Sequence, residues 1–253
     1  MRAFGLDPGK IGDASIGDDV LGFVEVHIEQ GPVLEAEGIP LAVVEGITGQ
    51  TRLSLRFTGQ ANHAGTTPMH LRRDALAAAA EWISKVEKQI RKAAATTDPG
   101  IVATVGRVVV EPNAGNVIAG SAEVSFEIRY GSSAVRHRWA KKLIADAEAI
   151  AKKRGIGFTW TEKLDQRTVR MDRGLSAMLK AAVKTCGYPP RTMPSGAGHD
   201  AMVMAARVPA AMLFLRSPGG ISHHPTESVR EADVEASLHV GREFLLRLAD
   251  GVG

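Results

Sequence analysis

Between residues 48 and 164 the spacing of apolar residues switches period four times, and that alternation limits the folds open to the chain. LSLRF alternates, and residues 72–95 repeat at three and four. IVATVGRVVV (101–110) and AEVSFEIRY (122–130) read as strands, 133–154 is helical again, and GIGFTWTEKL (155–164) is extended. The order strand, helix, strand, strand, helix, strand is the split βαβ or ferredoxin-like order. It predicts one antiparallel sheet with two helices on a face.

The flanks are not self-sufficient. Residues 1–47 supply the strand LGFVEVHIEQ (21–30), a short helix VLEAEG opened by Gly31-Pro32, and an extended stretch from Ile39. Residues 165–253 supply a helix near 174–186, a second from Asp200, the strand AAMLFL and a last helix from Glu231. These pieces predict an α/β domain made of 1–47 and 165–253, with 48–164 inserted as a separate α+β domain.

Composition narrows the function classes. With 44% hydrophobic residues and a formal charge of only +3, the 253-residue chain has an ordinary globular balance. No dense Lys/Arg cluster accompanies the basic pI, so no nucleic-acid partner is expected. No apolar run is long enough to cross a membrane, the start does not read as a signal peptide, and Cys186 has no second cysteine to pair with. A cytoplasmic protein with no membrane partner is the expectation.

Five of the eight histidines stand in contexts that suit chemistry. His27 lies near the end of an apolar strand, where α/β sheets place their sites, followed by Glu29 and Gln30. His223 and His224 lie in the glycine-containing loop SPGGISHHPTE, where one imidazole suits a zinc-like metal and Glu227 is a candidate to support it. His63 (in NHAGTTP) and Asn116 (in PNAGNVIAG) are candidate donors to an oxyanion. Arg129, ending FEIRY, suits a carboxylate. In PSGAGHDA, His199 and backbone N–H groups entering a helix could hold an anion. Each has a plain structural alternative: a half-buried histidine for His27, turn formation for the polar loops, strand-to-helix punctuation for PSGAGHDA. His70, His137 and His239 read as solvated.

HIEQGPVLEAEG, GQANHAGTTPM, NAGNVIAG, EIRY, PSGAGHDA and GGISHHPTE, in that order, resemble the allantoate amidohydrolases and N-carbamoyl-L-amino-acid hydrolases. These form the hydantoinase/carbamoylase branch of the dinuclear zinc exopeptidase superfamily. The resemblance covers residues from about 20 to the end. It implies a partial zinc-exopeptidase-like α/β catalytic domain with a ferredoxin-like lid and dimerisation domain inserted. It implies two divalent ions (zinc or manganese, with cobalt and nickel also suited), with His27 a ligand to one and His223 to the other. His63, Asn116 and Arg129 are implied to bind substrate and stabilise the intermediate, and Gln30, Gly198 and His199 to line the pocket. The implied reaction is hydrolysis of a linear amide or ureido C–N bond of allantoate or an N-carbamoyl-L-amino acid, by a homodimer joined through 48–164.

Family members also carry, ahead of the HIEQG strand, a His-x-Asp-type segment, a bridging Asp and a Glu pair. None of these has a counterpart here, so the metal site of this chain is expected to be incomplete. Tyr130 also stands where many relatives have a His. The alternative function is a non-catalytic lid and dimerisation module that binds a partner chain or a small carboxylate.

Overall fold

The computed structural model describes residues 1–252 and divides into two compact units, Met1–Ile47 with Val169–Gly253, and Thr48–Thr168. Each is built on its own sheet and its own core.

The first unit holds a five-stranded mixed sheet. Its strands are β1 (Phe23–Ile28) and β2 (Leu41–Ile47) and, after the second unit, β7 (Val169–Arg170), β8 (Thr192–Ser195) and β9 (Ala210–Leu215). The central strand β9 runs parallel to β1 and antiparallel to β2, and β2 pairs with β8 and β7 on its other side. All six residues of β9 are buried, as a strand covered on both faces requires. Its alternate side chains feed two cores. Ala211, Leu213 and Leu215 pack with Leu175, Leu179, Val240 and Phe244 of α4 (Arg173–Thr185) and α6 (Glu231–Val252). Ala210, Met212 and Phe214 pack on the opposite face with Leu34 of α1 (Val33–Glu37) and Ala201 of α5 (Asp200–Met204). The Asp172 side chain caps α4 by accepting from the Leu175 N–H.

The second unit is strand β3 (Gly49–Thr58), helix α2 (Ala75–Ala95), strands β4 (Val102–Glu111) and β5 (Ser121–Tyr130), helix α3 (Ser133–Lys153) and strand β6 (Gly157–Gln166). Its four strands form one antiparallel sheet in the order β4-β5-β3-β6. In β3, Leu53, Leu55 and Phe57 point into the core, while Arg52, Ser54 and Arg56 point away. Trp82 of α2 is fully buried against Phe57 and Phe126, and its indole N–H donates to the Leu143 carbonyl of α3. Asp74 caps α2 by accepting from the Ala77 N–H.

A buried charge completes this unit. Arg136 of α3 is fully buried, and every guanidinium nitrogen has a partner: Nε on Thr51, Nη1 on Ser133 and Nη2 on Asp165. Burial works to raise the Asp165 carboxyl. Hydrogen bonds from His137, Arg136 and Thr51 outweigh it and hold the group down at about 2. Gly49 must be a glycine, because a Cβ there would meet Arg136 Nη1 at 2.0 Å and the Gln166 carbonyl at 2.7 Å.

Two short strands, β7 and β8, lie where the apolar pattern shows only loop. The helix expected from Asp200 is five residues long. Among the described residues, no helix is long and apolar enough to cross a membrane.

Candidate metal centre

Strand β1 presents Glu25 and His27 on one face, two residues apart, toward α5. A carboxylate oxygen of Glu25 accepts from the Ala201 N–H at 2.7 Å, so this carboxylate already occupies the start of α5. PSGAGHDA therefore does not present that N–H to an external anion. His199, the residue before α5, lies beside both: its ring is 4.7 Å from that of His27, and its Nδ1 is 3.8 Å from Glu25 Oε1. One ligand atom from each of Glu25, His27 and His199 lies within 4.8 Å of the other two. No other three-residue group of histidine, cysteine and carboxylate converges in this way among the described residues.

The protonation pattern follows from the surroundings. The His199 ring is almost wholly buried. Burial, and then the neighbouring His27, push its pKa down to about 4, so it is neutral at pH 7. Its Nε2 is 2.8 Å from Ser195 Oγ, whose hydroxyl also reaches the Ala197 carbonyl at 3.0 Å. His27 Nδ1 is 2.8 Å from the Ile28 carbonyl, which can only accept. His27 therefore carries its proton on Nδ1 and leaves Nε2 with a free lone pair, the tautomer a metal ligand needs.

The other expected residues of this unit fall around β1. Gln30 follows it with a left-handed backbone (φ 57°), donating its N–H to Ser217 Oγ and its side-chain amide to Ser222 Oγ. Those bonds tie the end of β1 to the loop that carries His223. His223 is also left-handed (φ 56°), a conformation that costs a non-glycine residue energy and recurs at functional sites. Glu227 accepts from the His223 backbone N–H at 3.2 Å and so shapes the turn that carries it. His224 bonds Thr226. His223 is not part of the three-donor group. Gly198 has open space where a Cβ would stand. Glu29 is a helix cap: its two oxygens accept from the N–H groups of Val33 and Leu34, which makes it unavailable to orient a ligand.

In the second unit, His63 and Asn116 come together. His63 forms an isolated bridge with Val117, and the Ala64 N–H donates to the Asn116 carbonyl. Arg72 pins the same loop through the carbonyls of Ala64 and Thr67. Arg129 lies elsewhere. It pairs with Gln50 and Val102 at the other end of the sheet, and its Nε donates to Glu127. Along β5 it stands eight residue steps from Ser121, about 27 Å at roughly 3.4 Å per step. One copy of this unit does not bring Arg129 to His63 and Asn116.

Sequence reasoning missed Glu25 and Ser195. Glu25 carried a signal, since a two-residue spacing in a strand puts it on the face of His27. Ser195 carried none, because its partner is set by the turn at 196–198.

The chain pairs an α/β unit on a mixed sheet, with a His/Glu cluster beside β1, with an α+β unit on an antiparallel four-stranded sheet. The family model for peptidase family M20/M25/M40 matches residues 9–250. The chain belongs to that metal-dependent family, in its hydantoinase/carbamoylase branch. It is 38% identical to an N-carbamoyl-L-amino acid amidohydrolase of Geobacillus stearothermophilus, over 99% of this chain and 60% of the relative. It is also 38% identical to an allantoate amidohydrolase of Escherichia coli, over 91% of this chain and 55% of the relative. A hydantoinase/carbamoylase family amidase from Burkholderia multivorans superimposes with a TM-score of 0.85 at 34% identity, covering 90% of this chain and 55% of the other. The chain thus spans 55–60% of the length of these two curated relatives.

Proposed function

We propose that this chain serves a metal-dependent hydrolase that cleaves a linear amide or ureido C–N bond, with allantoate or an N-carbamoyl-L-amino acid as substrate. The observation that carries the reading is the convergence of His27, Glu25 and His199 beside β1, in a chain of the hydantoinase/carbamoylase branch. His27 and His223 are the residues that would hold two divalent ions, zinc or manganese with cobalt and nickel as substitutes. The free lone pair on His27 Nε2 fits that role. A divalent ion there supplies Lewis-acid chemistry, polarising a carbonyl and acidifying water.

The remaining roles belong to side chains of the ferredoxin-like unit and of the loops after β1 and β8. Arg129 binds the substrate carboxylate through a planar fork that lysine cannot imitate. His63 and Asn116 donate hydrogen bonds to the developing oxyanion, each such donor typically contributing about 100- to 1,000-fold in rate. Gln30, Gly198 and His199 line the pocket, and Gly198 leaves room for substrate against the backbone. Since Arg129 stands at the opposite end of the sheet from His63 and Asn116, a homodimer joined through Thr48–Thr168 is the assembly in which all three serve one substrate, two of them from the second copy.

The test is a panel of allantoate, ureidoglycolate and several N-carbamoyl-L-amino acids with zinc, manganese, cobalt or nickel. It is run on this chain alone and on this chain mixed with a polypeptide covering the part of a relative that it does not span. Metal-dependent release of ammonia or amino acid in the mixture, with little from the chain alone, is the expected result. No turnover in either arm would overturn the hydrolase reading and leave a non-catalytic lid and dimerisation module.

A further inference from the structure

The loop that carries His63 is fixed from several sides, and one of the bonds reaches the imidazole itself. The Ala64 N–H donates to the Asn116 carbonyl at 2.9 Å, and the Ile118 N–H donates to the Asn62 carbonyl at 2.8 Å, which ties the loop to its neighbour on both sides of His63. Thr67 closes the turn by donating its N–H and its hydroxyl to the His63 carbonyl, at 3.2 and 2.9 Å. Arg72 then spans the turn. Its Nη2 donates to the Ala64 carbonyl at 2.5 Å and its Nε to the Thr67 carbonyl at 3.1 Å, so one rigid planar group sets the separation of the two carbonyls. Between those two clamped residues, the Gly65 N–H donates to His63 Nδ1 at 3.1 Å. A backbone N–H can only donate, so Nδ1 is the unprotonated nitrogen of the ring. The proton of the neutral ring therefore sits on Nε2, which has no partner among the described residues. Position 65 suits glycine, because a Cβ there would stand 3.2 Å from His63 Cε1 and crowd the ring off the N–H.

We propose that Arg72 and Gly65 are positioning residues for His63: Arg72 holds the turn, and the Gly65 N–H fixes the ring as an Nε2–H donor. The fixing of the ring stands on the hydrogen bonds alone, whereas its use toward an oxyanion rests on the hydrolase reading. An oxyanion needs a hydrogen where its charge develops, and a donor already set in place costs no reorganisation during the reaction. A ring with its proton on Nδ1 would offer a lone pair there instead. Arg72 acts through the carbonyls of Ala64 and Thr67, and Gly65 through its N–H, so neither side chain has to touch substrate. A turn kept for stability would need Thr67 and Arg72 but would have no use for a bond to the ring.

The experiment is NMR on the full chain with isotopically labelled glycine and histidine nitrogen, at about pH 8, where an ordinary histidine is neutral. A scalar coupling across the N–H···N hydrogen bond should join the Gly65 amide nitrogen to His63 Nδ1, and the ring nitrogens of His63 should show the Nε2–H pattern. Arg72→Ala and Gly65→Ala should each remove the coupling. Arg73→Ala, at the exposed neighbouring position, should leave it unchanged. A missing coupling in the unaltered chain, or a proton on Nδ1, would overturn the proposal, and so would a coupling that persists in Arg72→Ala. Circular dichroism checks the fold of each variant, and the unaltered chain with Gly65→Ala carries the test should Arg72→Ala unfold. None of this requires turnover, so failure of the hydrolase reading leaves the positioning role decided on its own. In an active mixture with the complementing polypeptide, Arg72→Ala and Gly65→Ala should lower kcat roughly tenfold, part of what a whole oxyanion donor contributes, and leave KM within about twofold. A raised KM with kcat unchanged would overturn the oxyanion role.

Discussion

The two units treat buried polar groups in opposite ways. In Thr48–Thr168, the guanidinium of Arg136 is sealed from solvent and each of its nitrogens has a partner, with Asp165 supplying the opposite charge. In the other unit, the His199 side chain is nearly as buried, yet its Nδ1 stands 3.8 Å from Glu25 Oε1, beyond hydrogen-bond reach. A polar network kept for stability closes on itself, because each unmet group costs about 1–3 kcal/mol. A network kept for binding is left open at the point where the ligand completes it. The contrast sets the closed group of Arg136, Asp165 and His137 beside the open group of Glu25, His27 and His199, although both mix basic and acidic side chains.

The largest effect should come from the closed core. Trp82→Ala removes the biggest fully buried side chain and is expected to destabilise Thr48–Thr168 by about 4 kcal/mol. All three tryptophans, Trp82, Trp139 and Trp160, lie in this unit, so indole emission reports it alone. Urea titration of the variant should shift the emission transition to lower denaturant. Hydrogen exchange of β9 in the other unit should stay unchanged, and a matching loss there would show that the units do not unfold separately.

Asp165→Asn keeps the shape but takes the counter-charge from Arg136. Because Asp165 is partly exposed, the expected loss is about 2–3 kcal/mol, somewhat under that for a fully buried pair. The same emission assay measures it. A change under about 0.5 kcal/mol would remove the closed network from the comparison.

Acid should separate the units by pH window. His199 has a folded pKa near 4 against an ordinary 6.5, so the unfolded state binds the extra proton first. Stability of the metal-free first unit should therefore fall as pH drops from about 6.5 toward 4, by on the order of 2 kcal/mol at pH 5. Asp165 behaves differently. Its depressed pKa contributes stability that is full above about 4 and is lost only as pH falls toward 2. Hydrogen exchange at pH 7, 5 and 3.5 should show β1 and α5 loosening before β3 and α3. The reverse order would contradict the assignment of the two networks.

The smallest effects should be alike in the two units. Asp74→Ala and Asp172→Ala each remove one helix cap, and each should cost about 1 kcal/mol in its own unit. Thermal melts followed by circular dichroism check this. Unequal losses would mean that one cap also holds tertiary contacts.

Much of this was legible in the sequence, and the reason is local. The βαββαβ order and the Leu53/Leu55/Phe57 alternation depend on residues within a few positions of one another, and the structure places them where the periodicity predicted. The motif strings carried the family in the same way, since they are contiguous. What lies at long range was not legible. The short strands β7 and β8 exist because β2 offers them an edge, and four residues of TMPS carry no period of their own. Glu29 caps α1, a role set by the chain bending back over it at Gly31.

The sequence by itself determined which side chains are available for chemistry: the histidines, Arg129, and the glycines that let loops approach them. Only the tertiary structure decided which of them meet. It set Arg129 at the far end of the sheet from His63 and Asn116. It also brought Glu25 and His27 against His199, more than 170 positions along the chain. Periodicity reports which face a side chain takes. The meeting of these side chains depends on strand pairing and on the turn between β8 and α5, which no local period encodes.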